Sequence, residues 1–148
     1  MGERMKGKVA FITGGSEGIG RATGLRLAEE GAHVVICARR KEPLAEAEAA
    51  IRAAGGSVEA LILDVGDADA YEKAIADTVK RHGRLDALVN NAMSVTYASV
   101  LDTTLEDWRR DFRVNCLAWC VGIRAARRQM YAQRNVAILN IASTNCLL

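Results

Sequence analysis

Short apolar runs alternate along the chain with longer stretches in which apolar residues recur every three or four positions. Val9-Ala10-Phe11-Ile12 is the first run. Glycines follow, then a helical stretch from about Ile19 to Glu30 that Gly31 closes. Val34-Val35-Ile36-Cys37 is the second run, and Leu44, Ala47, Ile51 and Ala54 after it keep helical spacing between Pro43 and Gly55-Gly56. Leu61-Ile62-Leu63 is the third run. Tyr71, Ala74, Ile75, Thr78 and Val79 then share a helical face, with Asp67 placed to cap its start and Gly83 to end it. Leu85, Leu88 and Val89 belong to a fourth run, and Val136-Ala137-Ile138-Leu139 with Ile141 to a fifth. Between these last two the pattern predicts one long helix, opened by a Thr103/Glu106 capping box, with Leu105, Trp108, Phe112, Cys116, Trp119 and Ile123 on its apolar face.

The strand runs are apolar throughout rather than alternating, as expected for strands covered on both faces. Five such strands joined by helices predict an α/β fold, a doubly wound parallel sheet of the Rossmann kind in a single domain over 1–148, ending after its fifth strand. No repeat, linker or second domain is visible.

Composition changes little in this picture. The 148 residues are 50% hydrophobic and 26% charged, with a formal net charge of +2. That balance gives no reason to expect a nucleic-acid or acidic-membrane partner. No stretch approaches the ~20 apolar residues of a membrane helix, and the first residues lack a signal-like apolar core, so a cytoplasmic protein is expected. Cys37, Cys116, Cys120 and Cys146 lie in largely apolar stretches without a CxxC pair and are read as buried reduced thiols. Cys116 and Cys120 are a helical turn apart, but no His or acidic residue completes a metal site beside them, and no metal is expected.

The candidate chemistry begins at Thr13-Gly14-Gly15-Ser16-Glu17-Gly18-Ile19-Gly20, between the first strand and the first helix. A sharp turn there needs the conformational freedom of Gly14. A pyrophosphate needs the bare backbone of Gly18, and close helix–strand packing needs Gly20. The helix start would offer free N–H groups and a positive dipole end to phosphates. A glycine-rich turn without a ligand is the bland alternative.

This octapeptide resembles the TGxxxGxG signature of the short-chain dehydrogenase/reductase family. Further landmarks follow in that family's order: Asp64-Val65, Asn90-Asn91-Ala92, Asn115, and Asn140-Ile141-Ala142-Ser143. The resemblance covers essentially the whole chain. It implies an NAD(P)-dependent oxidoreductase acting on a small carbonyl or alcohol substrate, with Gly14, Ser16, Glu17, Gly18, Ile19 and Gly20 around the pyrophosphate. It also implies Asp64 and Val65 at the adenine, Asn90 and Ala92 near the adenosine ribose, Asn115 in a proton relay and Ser143 on the substrate oxygen. Pairing into a homo-oligomer through the long helix is a further implication.

The end of the second run bears on which cofactor. An acidic residue there would bind the ribose hydroxyls of NAD, but this chain has Ala38, Arg39 and Arg40. An arginine fork suits a phosphate, so NADP is expected over NAD, with Arg39 as main contact and Arg40 in support. Glu17 opposes that reading, and Met93 stands where the family usually has glycine. Bland alternatives remain: surface charge for the arginines, a turn or cap residue for Asp64, a cap for Ser143, a satisfied helix amide for Asn115.

The family's tyrosine and lysine, spaced Tyr-x-x-x-Lys, are not in the sequence, because Tyr71, Tyr97 and Tyr131 are followed four residues on by Ile75, Leu101 and Asn135. The expectation is a cofactor-holding front part without the proton-transfer pair. A non-catalytic nucleotide-binding or interaction protein is the alternative. A methyltransferase on the same sheet would be expected to show an acidic residue where Ala38-Arg39 stands.

Overall fold

In the computed structural model, which describes residues 2–143, the five runs become parallel strands: β1 (Val9–Thr13), β2 (His33–Ala38), β3 (Ser57–Ile62), β4 (Ala87–Asn90) and β5 (Ala137–Asn140). The sheet order is β3-β2-β1-β4-β5. β1, at the centre, is buried along its length. Alternate residues serve opposite cores. Ala10, Ile12, Val34 and Ile36 meet α1 (Gly18–Glu29) and α2 (Lys41–Ala53). Phe11, Val35, Cys37 and Leu88 meet α3 (Ala68–His82) and α5 (Ala118–Gln133) on the other face. The chain moves outward from β1 to β3 and then returns to place β4 on the other side of β1. That reversal opens a crevice at the carboxyl edge between β1 and β4, where ligands of such sheets bind.

Several boundaries differ from the sequence reading. β3 starts at Ser57, ahead of the apolar run, because it is an edge strand that tolerates Ser57 and Glu59. Ile62, at its end, is largely exposed. The capping box lies one residue later than expected, at Thr104 and Asp107, and opens α4 (Leu105–Phe112). Thr103 instead donates its hydroxyl hydrogen to the Ser99 carbonyl at 2.8 Å, and Glu106 is an exposed partner of Arg109 and Arg113.

The long helix is the main correction. Between α4 and α5 lies a π-helical turn, Arg113–Leu117, closed by the Ala118 N–H on the Arg113 carbonyl. The wider turn accommodates an extra residue and rotates the face that meets the core. Val114, Ala118, Gly122, Ala126 and Met130, four apart, are buried. Gly122 is required there, since a Cβ would stand 2.6 Å from the Tyr71 hydroxyl. The expected stripe of Leu105, Trp108 and Phe112 faces outward instead. Cys116 and Cys120 turn outward with it, so the buried-thiol reading fails for both; Cys37 is buried, and burial pushes its thiol up to about 12. Cys146 lies outside the described residues.

Candidate functional site

The glycine loop follows the carboxyl end of β1. Gly14 has φ +65 and lies so close to the fourth strand's exit that a Cβ would stand 2.9 Å from the Ala92 Cα. A Cβ on Gly20 would stand 2.2 Å from the Gly14 carbonyl oxygen, which fixes how tightly α1 folds back on the loop. Gly18 differs: its φ is +51, yet nothing lies within 4 Å of where its Cβ would be. Its glycine thus preserves backbone conformation and leaves open space beside the helix start. Ser16 is buried, while Glu17, Gly18 and Ile19 are exposed. Glu17 is the N-cap residue of α1 but makes no side-chain cap bond, and the first turn carries no acidic residue. The first-turn N–H groups therefore keep their affinity for an outside anion. This cradle fits a pyrophosphate.

Two residues that sequence reasoning passed over hold the cradle to the sheet. The Thr13 hydroxyl oxygen accepts hydrogen bonds from the Asn91 and Ala92 N–H groups, both at 2.9 Å. The Asn91 side-chain amide donates to the carbonyls of Thr13 and Gly14, both at 3.1 Å. Asn91 was visible only as part of the Asn-Asn-Ala landmark, and nothing local assigned it this role.

Asn90 is used internally. It is 1% exposed. Its amide oxygen accepts from the Tyr71 hydroxyl at 2.8 Å, and its amide nitrogen donates to the Asn140 oxygen at 2.8 Å. This side chain thus braces β4 against α3 and β5. Burial also raises the Tyr71 phenol well above its usual range.

Asp64 is exposed beyond β3, and its Oδ1 accepts from the Gly66 N–H at 2.8 Å in a tight turn. Val65 puts its side chain into the α3-side core. Asp67 does cap α3, accepting from Ala70 N. Beyond β2, Arg39 and Arg40 are both exposed. Arg40 pairs with Glu17 across the loop mouth, whereas Arg39 has no ion-pair partner among the described residues.

The π-helical turn carries Asn115. Its amide oxygen accepts from the Ser94 N–H at 2.9 Å, and its nitrogen donates to the Ser94 carbonyl at 2.7 Å. Asp111 supports the same segment, accepting from the Ser94 hydroxyl at 2.6 Å and from the Thr96 N–H at 2.8 Å. The Ser94 hydroxyl is the main cause holding the Asp111 carboxyl below its ordinary value, and burial opposes it. Ser94 and Asp111 gave no sequence signal, because each looks like an ordinary polar residue. Met93, exposed, precedes this clamp. Ser143 lies past the carboxyl end of β5, exposed on the same edge of the sheet as the β4 exit. Of the tyrosines, Tyr97 and Tyr131 are exposed and far from α3's buried Tyr71 in the sequence.

Comparison with known proteins agrees with this geometry. The family model for short chain dehydrogenase matches residues 8–148. The chain is 41% identical over 143 residues to a 2,5-dichloro-2,5-cyclohexadiene-1,4-diol dehydrogenase of Sphingobium indicum, covering 97% of this chain and 57% of that one. It is 34% identical to the mouse dehydrogenase/reductase SDR family member 4, covering 94% of this chain and 50% of the relative. Among solved structures, a metagenomic short-chain oxidoreductase in complex with NADP superposes with a TM-score of 0.91 at 36% identity, over 94% of this chain and 63% of that one. An NAD+-bound xylitol dehydrogenase superposes at 0.90 and 33% identity, over 97% and 56%. The chain belongs to the short-chain dehydrogenase family. It spans about half the length of the curated relatives it matches. No helix among the described residues is long and apolar enough to cross a membrane.

Proposed function

We propose that this chain forms the nucleotide-binding part of an NADP(H)-dependent oxidoreductase acting on a small carbonyl or alcohol. The carrying observation is the open space beside Gly18 at an uncapped helix start, with Arg39, which has no ion-pair partner among the described residues, beyond the next strand. Solved relatives bind either NADP or NAD+ on this fold, so the architecture is neutral and Arg39, after Ala38, is what supports NADP. The helix start and the backbone of residues 14–20 hold the pyrophosphate. Arg39 takes the 2′-phosphate, and Asp64 with the Val65 backbone borders the adenine. Ala92 lines the ribose from a backbone that Thr13 and Asn91 keep in place.

When bound, the nicotinamide supplies or accepts the hydride. This chain's residues orient the substrate: Ser143 directs its hydroxyl to the reacting oxygen, and Asn115 acts by fixing Ser94 and the strand exit before it. General acid–base assistance, roughly 10²–10⁴-fold, needs a tyrosine–lysine pair that this sequence does not contain. The small-molecule substrate, a cytoplasmic setting and pairing of subunits across the exposed α4 face belong to the same reading.

The test is fluorescence titration with NADPH and NADH, alongside an assay of carbonyl reduction. Tight NADPH binding with little or no turnover is expected. Failure to bind either nucleotide overturns the reading, and robust turnover by this chain overturns its catalytic part.

A further inference from the structure

At the opposite, amino-terminal edge of the sheet, three side chains from three elements converge. His33 opens β2, Glu59 lies in β3, and His82 is the last residue of α3. One ligand-type atom from each lies within 4.8 Å of the others. The imidazole rings are 4.2 Å apart between centroids, and His82 Nε2 is 3.6 Å from Glu59 Oε2. Nε2 of both histidines is buried without a hydrogen-bond partner among the described residues. Two ring nitrogens without hydrogen bonds are costly as they stand, because a buried polar atom lacking a partner forfeits its hydration.

We propose that His33, Glu59 and His82 form a binding site for a divalent transition-metal ion of the zinc class, with water completing the coordination. Two imidazoles and a carboxylate are borderline donors suited to such an ion. The Ser57 hydroxyl lies 2.7 Å from His33 Nδ1. When Nδ1 carries the proton and donates it to Ser57, Nε2 presents its lone pair, the outer support that metal-binding histidines usually have. The cation would also sit at the carboxyl end of α3, where the helix dipole favours positive charge. Metal–ligand bonds of roughly 2.0–2.1 Å put tetrahedral donors about 3.3 Å apart, so closure requires shifts of about 1 Å. Arg81 competes, since it donates to Glu59 Oε1 at 2.7 Å, but Oε2 remains turned toward His82.

The site lies across the sheet from the glycine loop and does not depend on nucleotide binding. Zn²⁺ is titrated into the chelator-treated full chain against a chromophoric chelator, and Co²⁺ spectra are recorded in parallel. One equivalent should bind, at micromolar affinity or tighter, and raise the melting temperature. His82→Gln should weaken binding at least about 100-fold, and Ser57→Ala about tenfold through loss of outer support. Replacing the exposed Cys116 and Cys120 by serine should change nothing. The wild-type Co²⁺ spectrum, independent of how any variant folds, should lack a thiolate charge-transfer band. No binding, undiminished binding by His82→Gln, or a thiolate band each overturns the proposal.

Discussion

The Arg40 guanidinium pairs with the Glu17 carboxylate across the mouth of the glycine loop. Both side chains are largely exposed, so the pair adds little to stability, on the order of 0–1 kcal/mol. Its consequence is electrostatic: Arg40 is partly neutralised, and Arg39 is left as the cation available to a 2′-phosphate. Arg39→Ala should therefore weaken NADPH binding about 10–100-fold, or roughly 1.4–2.8 kcal/mol, with NADH changed by less than about 3-fold. Glu17→Gln should tighten NADPH selectively. Equal losses for both nucleotides in Arg39→Ala would refute the assignment, and titration of each variant checks it.

Gly18 and Gly20 should separate by substitution. Gly20→Ala drives a Cβ into the Gly14 carbonyl and should destabilise the fold by about 1–3 kcal/mol. Gly18→Ala meets no atom, so only its left-handed backbone is penalised, by roughly 1–2 kcal/mol. Gly18→Ala should fold and still lose most nucleotide affinity, because the methyl occupies the approach to the helix start. Denaturant melts and NADPH titration on both variants would show the split; retained affinity in Gly18→Ala would contradict it.

Asn115 and Asp111 clamp Ser94 and Thr96 through partly buried hydrogen bonds. Asn115→Ala leaves the Ser94 N–H and carbonyl without partners and should cost about 1–3 kcal/mol. Amide hydrogen exchange should accelerate at Ser94 and Thr96 but hardly at β1. Unchanged protection at Ser94 would mean that the clamp contributes nothing.

Glu30 supplies a pH dependence. Arg4 donates to its carboxylate at 2.6 Å, and Arg26 also pairs with it. The Arg4 hydrogen bond is the main cause that brings the carboxyl down to about 2. A lowered folded-state value stabilises the fold above the ordinary glutamate range, about 4.3, and that stabilisation disappears as pH falls toward about 2. Melting temperatures of the wild type and Glu30→Gln should differ most at neutral pH and converge between these limits. A gap that widens on acidification would reverse the sign.

Leu105, Trp108 and Phe112 form an exposed apolar stripe on α4. If subunits pair there, Trp108→Glu should shift the sedimentation of the wild-type assembly toward the monomer while the far-ultraviolet circular dichroism keeps its helix content. An unaltered assembly would place the pairing surface elsewhere.

Much of the site was legible because its signals are local. Gly14 announces its positive φ within the loop itself, and Asp67 and Gly83 mark the ends of α3 within a few residues. The misreadings along the long helix share one cause. Helical periodicity from Leu105 to Ile123 assumes a uniform turn, and the π-helical turn at Arg113–Leu117 breaks that phase. Hence the outward-facing Cys116 and the inward-facing row from Val114 to Met130.

The sequence by itself determined the alternation of strand and helix, the glycine cradle and the residues flanking it, because each depends on backbone preferences and hydrophobic spacing within a short window. Only the tertiary structure decided that Asn90 braces Tyr71 to Asn140, that Asn115 grips Ser94, and that His33, Glu59 and His82 meet. Asn90 and Asn140 are 50 positions apart. Such neighbours are set by the β3-β2-β1-β4-β5 order, which arises from burying both sheet faces at once and leaves no spacing along the chain to read.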